Sequence, residues 1–134
     1  MSKKTVLLVD DDVDFLEVNR LALEKAGYTV VTAHDGSEGF TRAVEAPVDV
    51  AVLDVMMRTP DEGFDLARRL RKHQPTAKIP LLMLTSINAV NAKRGFPFRL
   101  SDADRDDLWL PVDKFIDKPV SATKLVTLVR ELEG

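Results

Sequence analysis

The chain is predicted to fold as an α/β three-layer sandwich, a five-stranded parallel sheet with helices on both faces. Two observations carry this. Val48-Asp49-Val50-Ala51-Val52-Leu53-Asp54 is a nearly unbroken apolar, β-branched run ended by a carboxylate. Such a run reads as a strand buried on both faces in the middle of a parallel sheet. In addition, strand-like and helix-like segments alternate along the chain, the pattern of consecutive βα units. Right-handed crossovers then place helices on both faces. The 134 residues suit one domain, and 45% hydrophobic content suffices for a core.

The elements follow in order. Val6-Leu7-Leu8-Val9 reads as a first buried strand, ended by Asp10-Asp11-Asp12. A helix follows with Phe15, Val18 and Ala22 spaced for one face, and Gly27 supplies its stop. Tyr28 to Thr32 is the second strand, and Asp35-Gly36 marks a turn. A short helix carries Phe40, Ala43 and Val44 on one side until Pro47. The Asp54 strand is third, and a loop from Met56 to Gly63 follows it.

Phe64, Ala67 and Leu70 line the inner side of the next helix, with Arg68, Arg69, Arg71 and Lys72 read as a solvated outer face. Ile79 to Leu84 is strand four, with Pro80 at its start, where a missing donor is tolerated. Residues 88–113 are irregular and hold Asp102, Asp104, Asp106 and Asp107. Lys114 to Asp117 is strand five. Ser121 caps a last helix with Leu125, Leu128, Val129 and Leu132 on one face.

Composition excludes several classes. A net charge of −3 gives no electrostatic case for nucleic-acid binding. With no cysteine there is no disulfide, thiol catalysis or thiolate metal site. Lys3 and Lys4 precede an apolar run too short for a signal peptide, and nothing approaches a membrane span. The expectation is a soluble, cytoplasmic protein without membrane contact.

A parallel sheet brings the strand ends to one edge, where open α/β sheets bind ligands. That edge collects Asp10 and Asp11, Asp54, Thr85 with Ser86, and Lys118 followed by Pro119. Neighbouring carboxylates repel and call for a cation. An oxygen-only set selects a hard one, and the expectation is Mg²⁺. Lys118 and Thr85 suit a phosphoryl group, so the edge reads as a phosphoryl-transfer site with an acidic oxygen as nucleophile. Asp12 reads as a helix cap.

The order Val-Asp-Asp-Asp at 9–12, Leu-Asp-Val-Met-Met at 53–57, Leu-Thr-Ser at 84–86 and Asp-Lys-Pro at 117–119 resembles the receiver domain of two-component response regulators, a flavodoxin-like module. The resemblance covers residues 4–133. It implies strand order 2-1-3-4-5 and Asp54 as phosphoacceptor. It also implies Mg²⁺ on Asp10, Asp11, Asp54 and the Met56 backbone carbonyl. Thr85 and Lys118 would contact the phosphoryl group, Phe115 would be the aromatic switch, and Lys118–Pro119 would be the cis peptide. The phosphodonor would be a sensor histidine kinase or a His phosphotransfer protein, and the output contact with a downstream protein target. No enzymatic turnover is expected beyond self-catalysed phosphorylation and slow dephosphorylation, and residues 1–134 are read as a single domain without an output domain.

The chain departs from the family pattern in three places. Arg58 stands where the family has Pro, and Gly63 is shifted by about one residue. The stretch from Thr85 to Lys118 is long and irregular where the family has its fourth helix. Phe96, Phe98 and Trp109 there are either a core patch or a candidate partner surface. Met56 and Ile87 stand at positions that influence hydrolysis in the family, and neither side chain can hydrogen-bond water, so the phosphoryl group should be long-lived. Two alternatives stand beside the receiver. One is a pseudo-receiver that binds partners without phosphorylation. The other is a haloacid-dehalogenase-type Mg²⁺ phosphohydrolase, suggested by the Asp-x-Asp in Asp10-Asp11-Asp12.

Overall fold

A computed structural model describes residues 4–54, 62–85, 114–117 and 121–133, with backbone alone for Thr85, Lys114, Phe115 and Asp117. Along the chain run β1 (Thr5–Val9), α1 (Val13–Lys25), β2 (Thr29–Ala33), α2 (Gly36–Glu45), β3 (Val50–Asp54) and α3 (Glu62–Lys72). A 3₁₀ turn (Gln74–Thr76), β4 (Leu81–Thr85), β5 (Lys114–Asp117) and a last helix, α4 (Ala122–Glu133), complete the described elements. The strands form one sheet in the order β2-β1-β3-β4-β5, every pair parallel. The fold class and strand order are therefore those expected.

Alternation along the central strands splits the core into two layers. Leu7, Val9, Ala51, Leu53, Leu81 and Met83 pack with Ala43 of α2 and with Leu66, Ala67 and Leu70 of α3. Val6, Leu8, Val50, Val52, Leu82 and Leu84 pack with Leu16 and Leu23 of α1 and with Leu125, Leu128 and Val129 of α4. Each fully buried leucine contributes about 1.5–3 kcal/mol by leaving water. Strands buried on both faces are why the sequence shows continuous apolar runs there.

Helix α1 ends in a Schellman arrangement. Tyr28 N–H donates to the Leu23 carbonyl and Gly27 N–H to that of Glu24, at 3.0 Å each, while Gly27 takes φ 102°. Its inward face corrects the sequence reading. Leu16, Asn19 and Leu23 are buried, with Phe15 and Ala26 beside them, whereas Val18 is 57% exposed. The polar Asn19 interrupts the apolar pattern of the true face, so apolar spacing selects a neighbouring stripe. Asn19 is 3% exposed, and its Nδ2 donates to the Phe15 carbonyl one turn back at 2.8 Å.

Asp35-Gly36 is not a turn between elements but the start of α2. The Asp35 side chain accepts from Glu38 N–H at 2.8 Å, and Gly36 is the first helical residue. Ala43 is buried in this helix, but Val44 is 47% exposed, against expectation. Gly39 lets α2 lie directly on the sheet. A Cβ there would sit 2.9 Å from Leu66 Cδ2 and 3.0 Å from Val9 Cγ2, both core side chains.

The basic run of α3 is more than a solvated face. The Arg69 guanidinium stacks 4.4 Å over the Phe40 ring, and Arg71 Nη1 donates to the carbonyls of Ala77 (3.0 Å) and Ile79 (2.6 Å). Those bonds secure the connection into β4, where Pro80 lies just before the strand and its carbonyl accepts from Ala51 N–H. Ser121 Oγ caps α4 by accepting from Lys124 N–H at 3.1 Å, as expected.

Candidate functional site

The sheet register fixes which strand ends meet. Val9 of β1 pairs with Leu53 of β3, so the next residues, Asp10 and Asp54, are neighbours at the carboxyl edge. Asp54 in turn pairs with Leu84, and Thr85 with Asp117. Leu8 and Val52 face the α1/α4 layer. Asp10 and Asp54 lie two residues further along their strands, and alternation turns them to that same side.

The run of three aspartates divides its work. Asp10 is 1% exposed, and its Oδ1 accepts from Asp12 N–H at 2.9 Å. That bond bends the chain out of β1 as an Asx turn. Asp11 is exposed at the rim. Asp12 caps α1, accepting from Phe15 N–H at 3.2 Å, which matches its reading as a cap. Asp54, the last residue of β3, is 5% exposed.

Asp10, Asp11 and Asp54 each offer a carboxylate oxygen, and these oxygens lie within 4.8 Å of one another. Two of the three groups are buried, where adjacent negative charges repel strongly. A spread of that size accommodates one cation whose oxygen ligands sit about 2.0–2.6 Å away. The donors are all hard oxygens with no His or Cys, the set that favours Mg²⁺ or a similar ion over transition metals. The residues therefore fit the divalent cation expected from the sequence.

Other expected site residues stand as follows. The Thr85 backbone ends β4 beside Asp54's strand. The Phe115 backbone lies in β5 opposite Met83. Met56, Arg58, Ile87, Phe96, Phe98, Trp109, Lys118 and Pro119 lie outside the described residues.

Two features near this edge were not read from sequence. Helix α1, which begins right after the acidic run, exposes Val13, Val18 and Leu21. Glu62, the first residue of α3, accepts a hydrogen bond from Gly36 N–H at the start of α2. The available signal was an acidic residue directly ahead of Gly63, where a helix start favours negative charge.

Residues 6–103 match the family model of the response regulator receiver domain. The chain belongs to this family. It is 35% identical over 128 residues to RpaA of Synechocystis, a DNA-binding dual master transcriptional regulator, covering 95% of this chain and 48% of RpaA. The chain spans about half the length of the curated relatives it matches. Among solved structures, the chemotaxis response regulator CheY4 of Vibrio cholerae superposes with a TM-score of 0.78 at 27% identity, covering 98% of this chain and 99% of that one. A receiver-domain protein from Methanospirillum hungatei gives 0.77 at 25% identity, over 98% and 94% of the two chains. This receiver thus has the sheet order its sequence predicts, with Asp10, Asp11 and Asp54 together at one edge. No helix among the described residues is long and apolar enough to cross a membrane.

Proposed function

We propose that this receiver accepts a phosphoryl group on Asp54, with Mg²⁺ held by Asp10, Asp11 and Asp54. The observation that supports this is the meeting of three carboxylates within 4.8 Å at the carboxyl edge, one of them ending the central strand β3. An Asp54 carboxylate oxygen attacks phosphorus, the bond to the donor's nitrogen or acyl oxygen breaks, and an aspartyl phosphate forms. The leaving group takes the electron pair. Mg²⁺, when bound, offsets the negative charge gathered on the phosphoryl oxygens. Asp10 and Asp11 position that charge against the rim. The Thr85 hydroxyl and Lys118 ammonium suit the phosphoryl oxygens of the product.

The donor is a sensor histidine kinase or a His phosphotransfer protein, and output passes through contact with a downstream protein in the cytoplasm. The chain is not a turnover enzyme in this reading, since the product stays on Asp54. With Met56 and Ile87 unable to orient water, loss of phosphate is slow. The net charge of −3 gives this segment no attraction for nucleic acid. RpaA, whose name states DNA binding, is about twice as long as the matched region. Membership of the receiver family favours this reading over the phosphohydrolase.

Intact-mass analysis after incubation with acetyl phosphate tests the proposal. One added phosphoryl is expected with Mg²⁺, and none without Mg²⁺ or in Asp54→Ala. No adduct from acetyl phosphate or from a panel of histidine kinases would leave the pseudo-receiver as the reading.

A further inference from the structure

The charge of this chain is unevenly spread. From Leu66 to Ile79 the sequence holds Arg68, Arg69, Arg71, Lys72 and Lys78 and no Asp or Glu. That stretch carries +5 in a chain of net charge −3, so the rest of the chain carries −8. It runs through the end of α3, the 3₁₀ turn and the lead into β4. Arg69, Lys72 and Lys78 are exposed, and neither lysine has a carboxylate partner among the described residues. Arg71 holds the carbonyls of Ala77 and Ile79, so its charge also stays beside the turn.

A cleft of about 360 Å³ opens next to these cations, lined by Val44, Ala46, Pro47, Pro75 and Ile79. That volume is within the range of about 300–1,000 Å³ usual for binding sites. Val44, Ala46, Pro47 and Pro75 are exposed, so apolar surface on the end of α2 and on the turn is left in water. Glu45 is the one charged lining residue among the described residues, and Arg42 Nη1 lies 3.8 Å from its Oε1. One turn back along α2, Phe40 carries the Arg69 guanidinium 4.4 Å over its ring and meets the His73 ring edge-on at 5.5 Å. Stacking pre-organises the Arg69 fork, so it loses less freedom on pairing with an anion.

We infer that this cleft is a docking site for an acidic segment of a partner protein. An apolar side chain of the segment enters between Val44 and Pro75, and carboxylates flanking it lie against Arg69, Lys72 and Lys78. The cations call for negative charge, and the apolar walls call for an aliphatic side chain, which a duplex nucleic acid does not offer. A second copy of this chain has apolar and acidic groups together on α1, where Val18 and Leu21 are exposed beside Glu17. Such a head-to-tail contact does not close and would build open chains. The ends of α2 and α3 lie at the amino edge of the sheet, opposite Asp10 and Asp54, so a partner bound here leaves the acid site open.

The experiment measures fluorescence anisotropy of a labelled peptide in which two leucines are flanked by four aspartates. Peptides with serine for leucine, or lysine for aspartate, are the controls. The parent should bind the first peptide, bind the serine peptide at least fivefold more weakly, and ignore the lysine peptide. Raising salt from 0.05 to 0.5 M should weaken binding several-fold, since it screens exposed charges. Lys72→Glu with Lys78→Glu should weaken it at least tenfold, and Lys72→Arg with Lys78→Arg should keep it within twofold of the parent. Val44→Thr, which keeps the shape, should cost about fourfold, the worth of one buried methyl group. Thermal melts confirm that each variant is folded. A parent that does not bind the peptide would overturn the proposal. Equal binding of the serine peptide, or equally tight binding of a short DNA duplex lost in the same variants, would also overturn it by showing a general anion surface. Self-association of the parent that is lost in the Glu variants would overturn it in favour of a second copy.

Discussion

Removing one charge from the acid site should make the metal-free protein more stable. The donor oxygens of Asp10, Asp11 and Asp54 lie within 4.8 Å. Two unit charges at that separation repel by about 332/(20 × 4.8), or ~3.5 kcal/mol, at an effective dielectric of about 20, and by ~0.9 kcal/mol in bulk water. Asp10 and Asp54 are buried and Asp11 is exposed, so the pairs fall between these limits. Asp54→Asn keeps the shape and removes one member of two such pairs. We expect a gain of about 1–3 kcal/mol in EDTA. At ~2.1 cal/mol/K per residue, a chain of 134 residues has an unfolding entropy near 0.28 kcal/mol/K, so Tm should rise by roughly 4–11 °C. Mg²⁺ should then stabilise the parent by about 2.7 kcal/mol at 100 times its Kd, and the variant by less, closing the gap. Thermal melts in EDTA and in Mg²⁺ read both effects. An Asp54→Asn protein no more stable than the parent in EDTA would refute the repulsion argument. A gap unchanged by Mg²⁺ would refute the cation assignment.

Adjacent aspartates should separate by role. Asp12→Ala should cost about 1 kcal/mol in urea denaturation through the lost cap while leaving Mg²⁺ binding intact; Asp11→Ala should abolish the Mg²⁺ response without that cost. Asn19 is buried with an unpartnered Oδ1 among the described residues. Asn19→Leu, which keeps the branching and the number of side-chain heavy atoms while removing the unpartnered amide, should therefore raise stability by about 1 kcal/mol, read as a higher urea midpoint. Burial, then the hydrogen bond to Glu133, pushes the Tyr28 hydroxyl from 10.0 up to about 12. The folded state thus favours the neutral phenol. Its contribution is complete below pH ~10 and is lost as pH rises from there through 12. Phenolate absorbance from this single tyrosine should appear near pH 10 in urea but only toward pH 12 in the folded protein.

Much of this molecule is local and was legible in the residues. Strands buried on both faces must be apolar throughout, so Val6–Val9, Val50–Leu53 and Leu81–Leu84 announce themselves. Caps act over three residues, so Asp12 and Ser121 could be placed from spacing alone. The acidic edge follows from strand ends, because any parallel sheet aligns them. The inward face of α1 is misread from apolar spacing because its centre is Asn19, a polar side chain whose amide nitrogen donates to its own helix's carbonyl. Asp35-Gly36 reads as a turn in the sequence because the same residues that favour turns also cap helices.

The sequence by itself determined the element order, the family and the carboxylates at the strand ends, since each depends on residues near in the chain. Only the tertiary structure decided that three of those carboxylates share one small space, with Asp10 and Asp54 buried and Asp11 exposed. It also decided that Arg69 covers Phe40, that Gly39 admits Val9 and Leu66, and that Glu62 reaches Gly36 across 26 positions of sequence. Such contacts depend on how helices sit on the sheet. No periodicity records that distance, because it is set by packing between elements rather than by the pattern within any one of them.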